Sequence, residues 1–338
     1  MAESWFSLSR KDQAEALEVA SASTGRAPHL LEKDIWVVWA LAAIYACSFA
    51  EKLTFKGGTS LSKVYKIIDR FSEDIDLTYD IRELVPNLLE AGNPLPINAS
   101  QAKKMTDAVR RELPEWIQQT VKPELDLALN AQGLEAQFLI VGSAQEKLLL
   151  NYQPLRVGTG YTASSIQLEF GGRATGEPHH RQPVVCDIAN SIPGISFPEA
   201  MPLVMSAERT FWEKATAAHV YCRQAKLKGQ RYSRHWYDLA AMVKSGHAKL
   251  ALLETDLAQN VAMHKSMFFS EKNADHLAID YLAAVRGAIQ LVPKGEALGS
   301  LKEDYMAMLS DGLLSSYQPA FEEIMAICDQ LEQEINLK

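Results

Sequence analysis

The chain has 338 residues, 47% hydrophobic and 22% charged, the balance of a globular protein long enough for two domains of ordinary size. A formal net charge of −8 excludes a module that binds polyanions by bulk electrostatics, and four widely spaced cysteines without a CxxC give neither a disulfide framework nor structural zinc. The N-terminus lacks the basic and apolar regions of a signal peptide, and the longest apolar stretch, 35–50, is short for a membrane span, so a reducing cytoplasm is expected.

In chain order, hydrophobic periodicity predicts helices over 11–21 and 29–49, a short strand over 52–55, a helix over 61–69 and a strand over 75–79. Residues 83–100 contain Pro, Asn and Gly and read as an irregular connection, followed by helices near 101–119 and 123–131. Alternating runs at 136–141, 147–152, 164–170 and 184–188 read as strands separated by Gly, Ser and Pro clusters. Beyond Ser206 only helices are expected, near 206–222, 234–245, 248–263, 274–291, 300–312 and 316–335, with a domain boundary near residue 200. The fold class is therefore α+β: a core domain over 1–200 with N-terminal helices and a mixed sheet, then a helical domain over 201–338.

Two short segments carry chemistry. Lys56-Gly57-Gly58-Thr59-Ser60 joins a strand to a helix; glycines permit close backbone approach, and a helix N-terminus attracts phosphate. Lys63 falls in the first turn of the helix expected there, where a cation opposes the dipole unless an anion is bound. Asp74-Ile75-Asp76-Leu77 begins the next strand, and its alternation sets both aspartates on one face, a donor pair suited to Mg²⁺ (or Mn²⁺) with substrate phosphates. Glu169 is the candidate third carboxylate, with Asp187 as its rival.

The run Phe55–Lys63 together with Arg70-Phe71-Ser72-Glu73-Asp74-Ile75-Asp76-Leu77 closely resembles the AbiEii/AbiGii nucleotidyltransferase toxin family, which includes MenT-type toxins. Upstream, Leu31-Glu32-Lys33-Asp34 is similar to an element preceding the first motif in many members. The resemblance implies a DNA polymerase β-like nucleotidyltransferase core. It also matches Lys214, in Phe211-Trp212-Glu213-Lys214, to the family's third motif and Asp238, in Arg234-His235-Trp236-Tyr237-Asp238, to its fourth.

The resulting expectation is a Mg-dependent enzyme that transfers a nucleoside monophosphate from an NTP to RNA, with the tRNA 3′ end implied by the resemblance, alongside a cognate antitoxin encoded nearby. Asp74 and Asp76 would be catalytic and, with Glu169, metal-binding. Gly57, Gly58, Thr59, Ser60 and Lys63 would bind the nucleotide, Lys214 would meet phosphate, and Asp238 would either position Lys214 or act near the acceptor hydroxyl. A basic stretch with interleaved aromatics (Arg223, Lys226, Lys228, Arg231, Tyr232, Arg234, His235, Trp236, Tyr237) is a candidate RNA-facing surface. The alternatives are a small-molecule or protein acceptor, or a nucleotide-binding module without catalysis.

Overall fold

In the computed structural model, residues 2–89, 95–156, 165–224, 227, 231–310, 312–314 and 317–337 are described. The chain divides into one unit of Met1–Val64, Phe71–Pro94 and Met105–Met205, and another of Tyr65–Arg70, Leu95–Lys104 and Ser206–Lys338.

The first unit is built on a seven-stranded mixed sheet. Its strands are β1 (Leu53–Lys56), β2 (Ile75–Asp80), β3 (Ala136–Val141), β4 (Lys147–Tyr152), β5 (Ser165–Ala174), β6 (His179–Arg181) and β7 (Leu203–Met205). Their spatial order is β3-β4-β5-β2-β1-β7-β6. Strand β2 runs antiparallel to β1 and parallel to β5, and β7 is parallel to β1. Ile75, Leu77, Leu168 and Phe170 are buried on the core face, so the alternating Asp76 and Glu169 take the other. Helices α1 (Arg10–Thr24) and α2 (Pro28–Tyr45) belong to this unit. Helix α2 is apolar nearly all round, which suits complete burial, and Trp36 stacks on Tyr152 at 5.0 Å. It also carries three consecutive buried charges, Glu32, Lys33 and Asp34.

Several boundaries differ from expectation. The helix after β1, α3, is Gly57–Lys63 rather than 61–69, so Lys63 occupies its last turn, where a cation favours the dipole. The expected strand over 184–188 is confined to Val184–Val185, paired with Glu199–Ala200. The three-residue strands β6 and β7 are too short to show alternation. Helices α4 (Ala99–Trp116) and α5 (Lys122–Ala131) follow the predicted ones closely.

The second unit is helical: α6 (Ala207–Gln224), α7 (Ser233–Lys244), α8 (His247–Leu253), α9 (Thr255–Phe268), α10 (Glu296–Ser310) and α11 (Phe321–Asn336). Indole donors tie it together, Trp212 Nε1 to the Ala251 carbonyl and Trp236 Nε1 to that of Leu291. The single helix expected over 248–263 is two, divided at Glu254. That over 274–291 is mostly absent. Gly287 sits at φ +111°, and the chain then leaves the helix so that Ile289 exchanges two hydrogen bonds with the Asn336 side chain. Among the described residues no helix is long and apolar enough to cross a membrane.

Candidate active site

The glycine turn and the Asp-x-Asp strand are one structural object. Lys56 at the end of β1 lies in register with Asp76 on β2, so the chain turns into α3 directly beside that carboxylate. Gly57 has φ +81°, and a Cβ there would overlap Asp76 Oδ2 and stand 2.9 Å from its Cγ. Only glycine fits, for both conformation and space. Thr59 is fully buried; its hydroxyl donates to the Asp74 carbonyl (2.5 Å) and its oxygen accepts from the Ser72 hydroxyl (3.0 Å). Ser60, also buried, donates to the Gly57 carbonyl at 2.9 Å. Lys33 pairs with Glu73 at 2.9 Å. The 72–74 segment is thus held by α2 and α3 before β2 begins, which fixes where the aspartates project.

Asp74 and Asp76 alternate with buried Ile75 and Leu77 and remain half-buried themselves. Asp76 is in register with Glu169 across the parallel β2–β5 pair. Glu169 is turned to Lys147, whose ammonium is 2.7 Å away. Among the described residues no three His, Cys, Asp or Glu side chains are gathered into a set that could hold a metal ion. The Asp74/Asp76 pair still suits Mg²⁺, which takes one or two carboxylates and completes its shell with water and substrate phosphates. The space left by the missing Gly57 Cβ holds one of those carboxylates in place.

The rival third carboxylate, Asp187, and the expected phosphate ligand, Lys63, are engaged with each other. Lys63 Nζ lies 2.6 Å from Asp34 Oδ1 and 2.8 Å from Asp187 Oδ1. Asp34 Oδ2 accepts the Asp187 N–H at 2.7 Å, and Arg26 reaches Asp187 Oδ2 at 3.0 Å. Burial works against the Lys63 charge, but the two carboxylates outweigh it and raise its pKa above the ordinary lysine value. This lysine is a buried tie between α2, α3 and the 187 turn. The dipole argument for a phosphate at Lys63 does not hold, because the helix begins four residues earlier than its pattern suggests.

In the second unit Lys214 and Asp238 meet. Lys214 Nζ is 2.8 Å from Asp238 Oδ2. Arg70, which sequence reasoning passed over, also binds Asp238, with Nε to Oδ1 at 2.7 Å and Nη2 to Oδ2 at 2.8 Å. Asp238 is fully buried. Burial alone would raise its pKa, yet Arg70 and Lys214 hold it well below the usual carboxylate range. A carboxylate so placed is a poor proton acceptor, and it fixes the position of Lys214. His235 beside it is kept neutral, its pKa lowered to about 3 by burial and by the Lys214 charge.

The basic stretch divides. Lys226 and Lys228 lie outside the described residues. Trp236 and Tyr237 are each 1% exposed and pack in the interior, so they offer no face for a base, and Tyr232 lies against Tyr221 at 4.4 Å. Arg223 is exposed, while the Arg231 N–H is capped by Asp304.

MenT4, a nucleotidyltransferase toxin from Mycobacterium tuberculosis H37Rv, is similar over 98% of this chain and 99% of its own, at 16% identity and a TM-score of 0.39. No curated protein sequence matches the chain. The family model described as nucleotidyl transferase AbiEii toxin, type IV TA system, matches residues 39–327 and so spans the glycine turn, the Asp-x-Asp strand, Lys214 and Asp238. With most of its length inside that match, the chain belongs to the AbiEii family of nucleotidyltransferase toxins of type IV toxin–antitoxin systems.

Proposed function

We propose that the enzyme transfers a nucleoside monophosphate from an NTP to the 3′ end of a tRNA, releasing pyrophosphate, and that a cognate antitoxin restrains it in the cytoplasm. The observation that carries this reading is the fit of the Gly57 turn around the Asp76 carboxylate, with Asp74 on the same strand face. Asp74 and Asp76 would hold Mg²⁺, which would supply neutralisation of the triphosphate and activation of the acceptor hydroxyl, while Glu169 is paired with Lys147. The backbone of Gly57–Thr59 approaches the phosphates closely because no side chain intervenes at Gly57, and Ser60 holds that turn in shape through its bond to the Gly57 carbonyl. Lys214 meets phosphate as a point charge, while Asp238 orients it. Exposed Arg223 contributes to RNA attraction.

The test is incubation of the protein with each α-phosphate-labelled NTP, Mg²⁺ and total tRNA. Label is expected in the tRNA fraction and is expected to fall by about 10³ or more for Asp76→Asn, the scale of removing a metal ligand from a phosphoryl-transfer site. Label in the protein or small-molecule fraction would replace the acceptor, and undiminished labelling by Asp76→Asn would overturn the site.

A further inference from the structure

Four charged residues stand in one row across four neighbouring strands. Lys147 on β4 is in register with Glu169 on β5, Glu169 with Asp76 on β2, and Asp76 with Lys56 on β1. Residues in register share a sheet face, so the row reads plus, minus, minus, plus. The two central acids are like charges directly opposite each other, an arrangement that destabilises a strand pair. Lys147 relieves it from one side: its ammonium is 2.7 Å from Glu169 Oε2, and Asp74 and Glu146 add to the negative field on it.

We propose that Lys147 is the resident counter-cation of the acidic row and competes with the divalent ion for Glu169, so that it lowers the metal affinity of the site. This rests on Asp74 and Asp76 being the metal ligands of the nucleotidyltransferase reading. Glu169 has one carboxylate, and the ammonium that now holds it must be turned away before a cation can take it. Its side chain is 43% exposed and that of Lys147 30%, so both have room to move. Removing the ammonium takes one positive charge from beside Glu169 and favours a dication in its place.

The test is calorimetric titration of the full chain with MnCl₂, without nucleotide, for wild type, Lys147→Met, Lys147→Met/Glu169→Gln and Asp76→Asn. Lys147→Met is expected to bind Mn²⁺ about tenfold more tightly, a size consistent with removing one unit charge beside a half-exposed site. The added Glu169→Gln is expected to cancel that gain, and Asp76→Asn to abolish binding. Without metal, Lys147→Met is expected to melt below wild type, with the gap closing at saturating Mn²⁺. Equal or weaker binding by Lys147→Met, a gain that survives Glu169→Gln, or binding retained by Asp76→Asn would each overturn the proposal. Failure of tRNA labelling with these titrations intact would instead strike the choice of acceptor or reaction.

Discussion

Each unit contains a buried lysine held by carboxylate, and the two are held differently. Lys63 stands between two acids, Asp34 and Asp187, whereas Lys214 shares the single carboxylate of Asp238 with Arg70. In the first cluster two acids face the lysine, and Arg26 is also on Asp187, so each cation is matched by an acid. In the second, two cations converge on one anion. A buried cation matched by acids has little attraction left for a ligand, while one that shares its acid keeps a positive field available to phosphate. On the proposed reading, two lysines of similar burial, 6% and 9% exposed, take opposite tasks, structure for Lys63 and substrate charge for Lys214.

The largest effect that would break this contrast is on stability. Lys63→Met takes the cation from buried Asp34, while Asp187 keeps Arg26, and is expected to cost about 3–5 kcal/mol in denaturant unfolding, the range for breaking a buried pair. Lys214→Met leaves Asp238 with Arg70 and is expected to cost about 1–2 kcal/mol, while labelling falls by roughly 100-fold. A stable Lys63→Met protein with a raised KM for NTP would reverse the assignment.

Acid and base dependence sharpen the comparison, because two carboxylates in the two units shift in opposite directions. Burial raises Glu32 to about 7 in the folded state, despite its bonds from the Leu155 N–H. Between about pH 4.5 and 7 the folded chain therefore holds a proton that the unfolded chain has lost, and stability falls as pH rises through that window. Glu32→Gln is expected to flatten this limb, which spans about 3 kcal/mol. Asp238 is held below its unfolded value, so its contribution is present above about pH 4 and is lost as pH falls further. Asp238→Asn should remove that acid loss. Melting curves of both variants from pH 3 to 8 measure the two signs.

The smallest expected effect concerns geometry at constant charge. Arg70→Lys keeps a cation beside Asp238 but loses the two-point contact that orients the carboxylate. We expect kcat to fall about tenfold with little change in KM, because Lys214 remains present but less well aimed. An unchanged kcat would mean that Lys214 needs no such orientation.

Much of the candidate site's local geometry was legible because its signals are local. Gly57–Ser60 and Asp74-x-Asp76 lie within 20 residues, and alternation alone set both aspartates on one face. The beginning of α3 was misread because two glycines are poor helix formers, and the pattern started only at Leu61. Gly57 is there because Asp76 lies against it, a tertiary reason invisible to periodicity. Arg70 was missed for the same kind of reason: its partner is 168 residues away. In the sheet, β3, β4 and β5 were read from alternation, but three residues cannot alternate enough to reveal β6 or β7.

Strand β7 has a consequence for synthesis. It pairs with β1 through Val204 and Phe55, so the strand that leads into the Gly57 turn, already paired with β2 on one side, lacks its second neighbour until residue 205 has been made. Asp187, which completes the tie to Lys63 and Asp34, is likewise translated more than a hundred residues after them. A ribosome-bound chain carries Asp74 and Asp76 early, but the scaffold around them closes late.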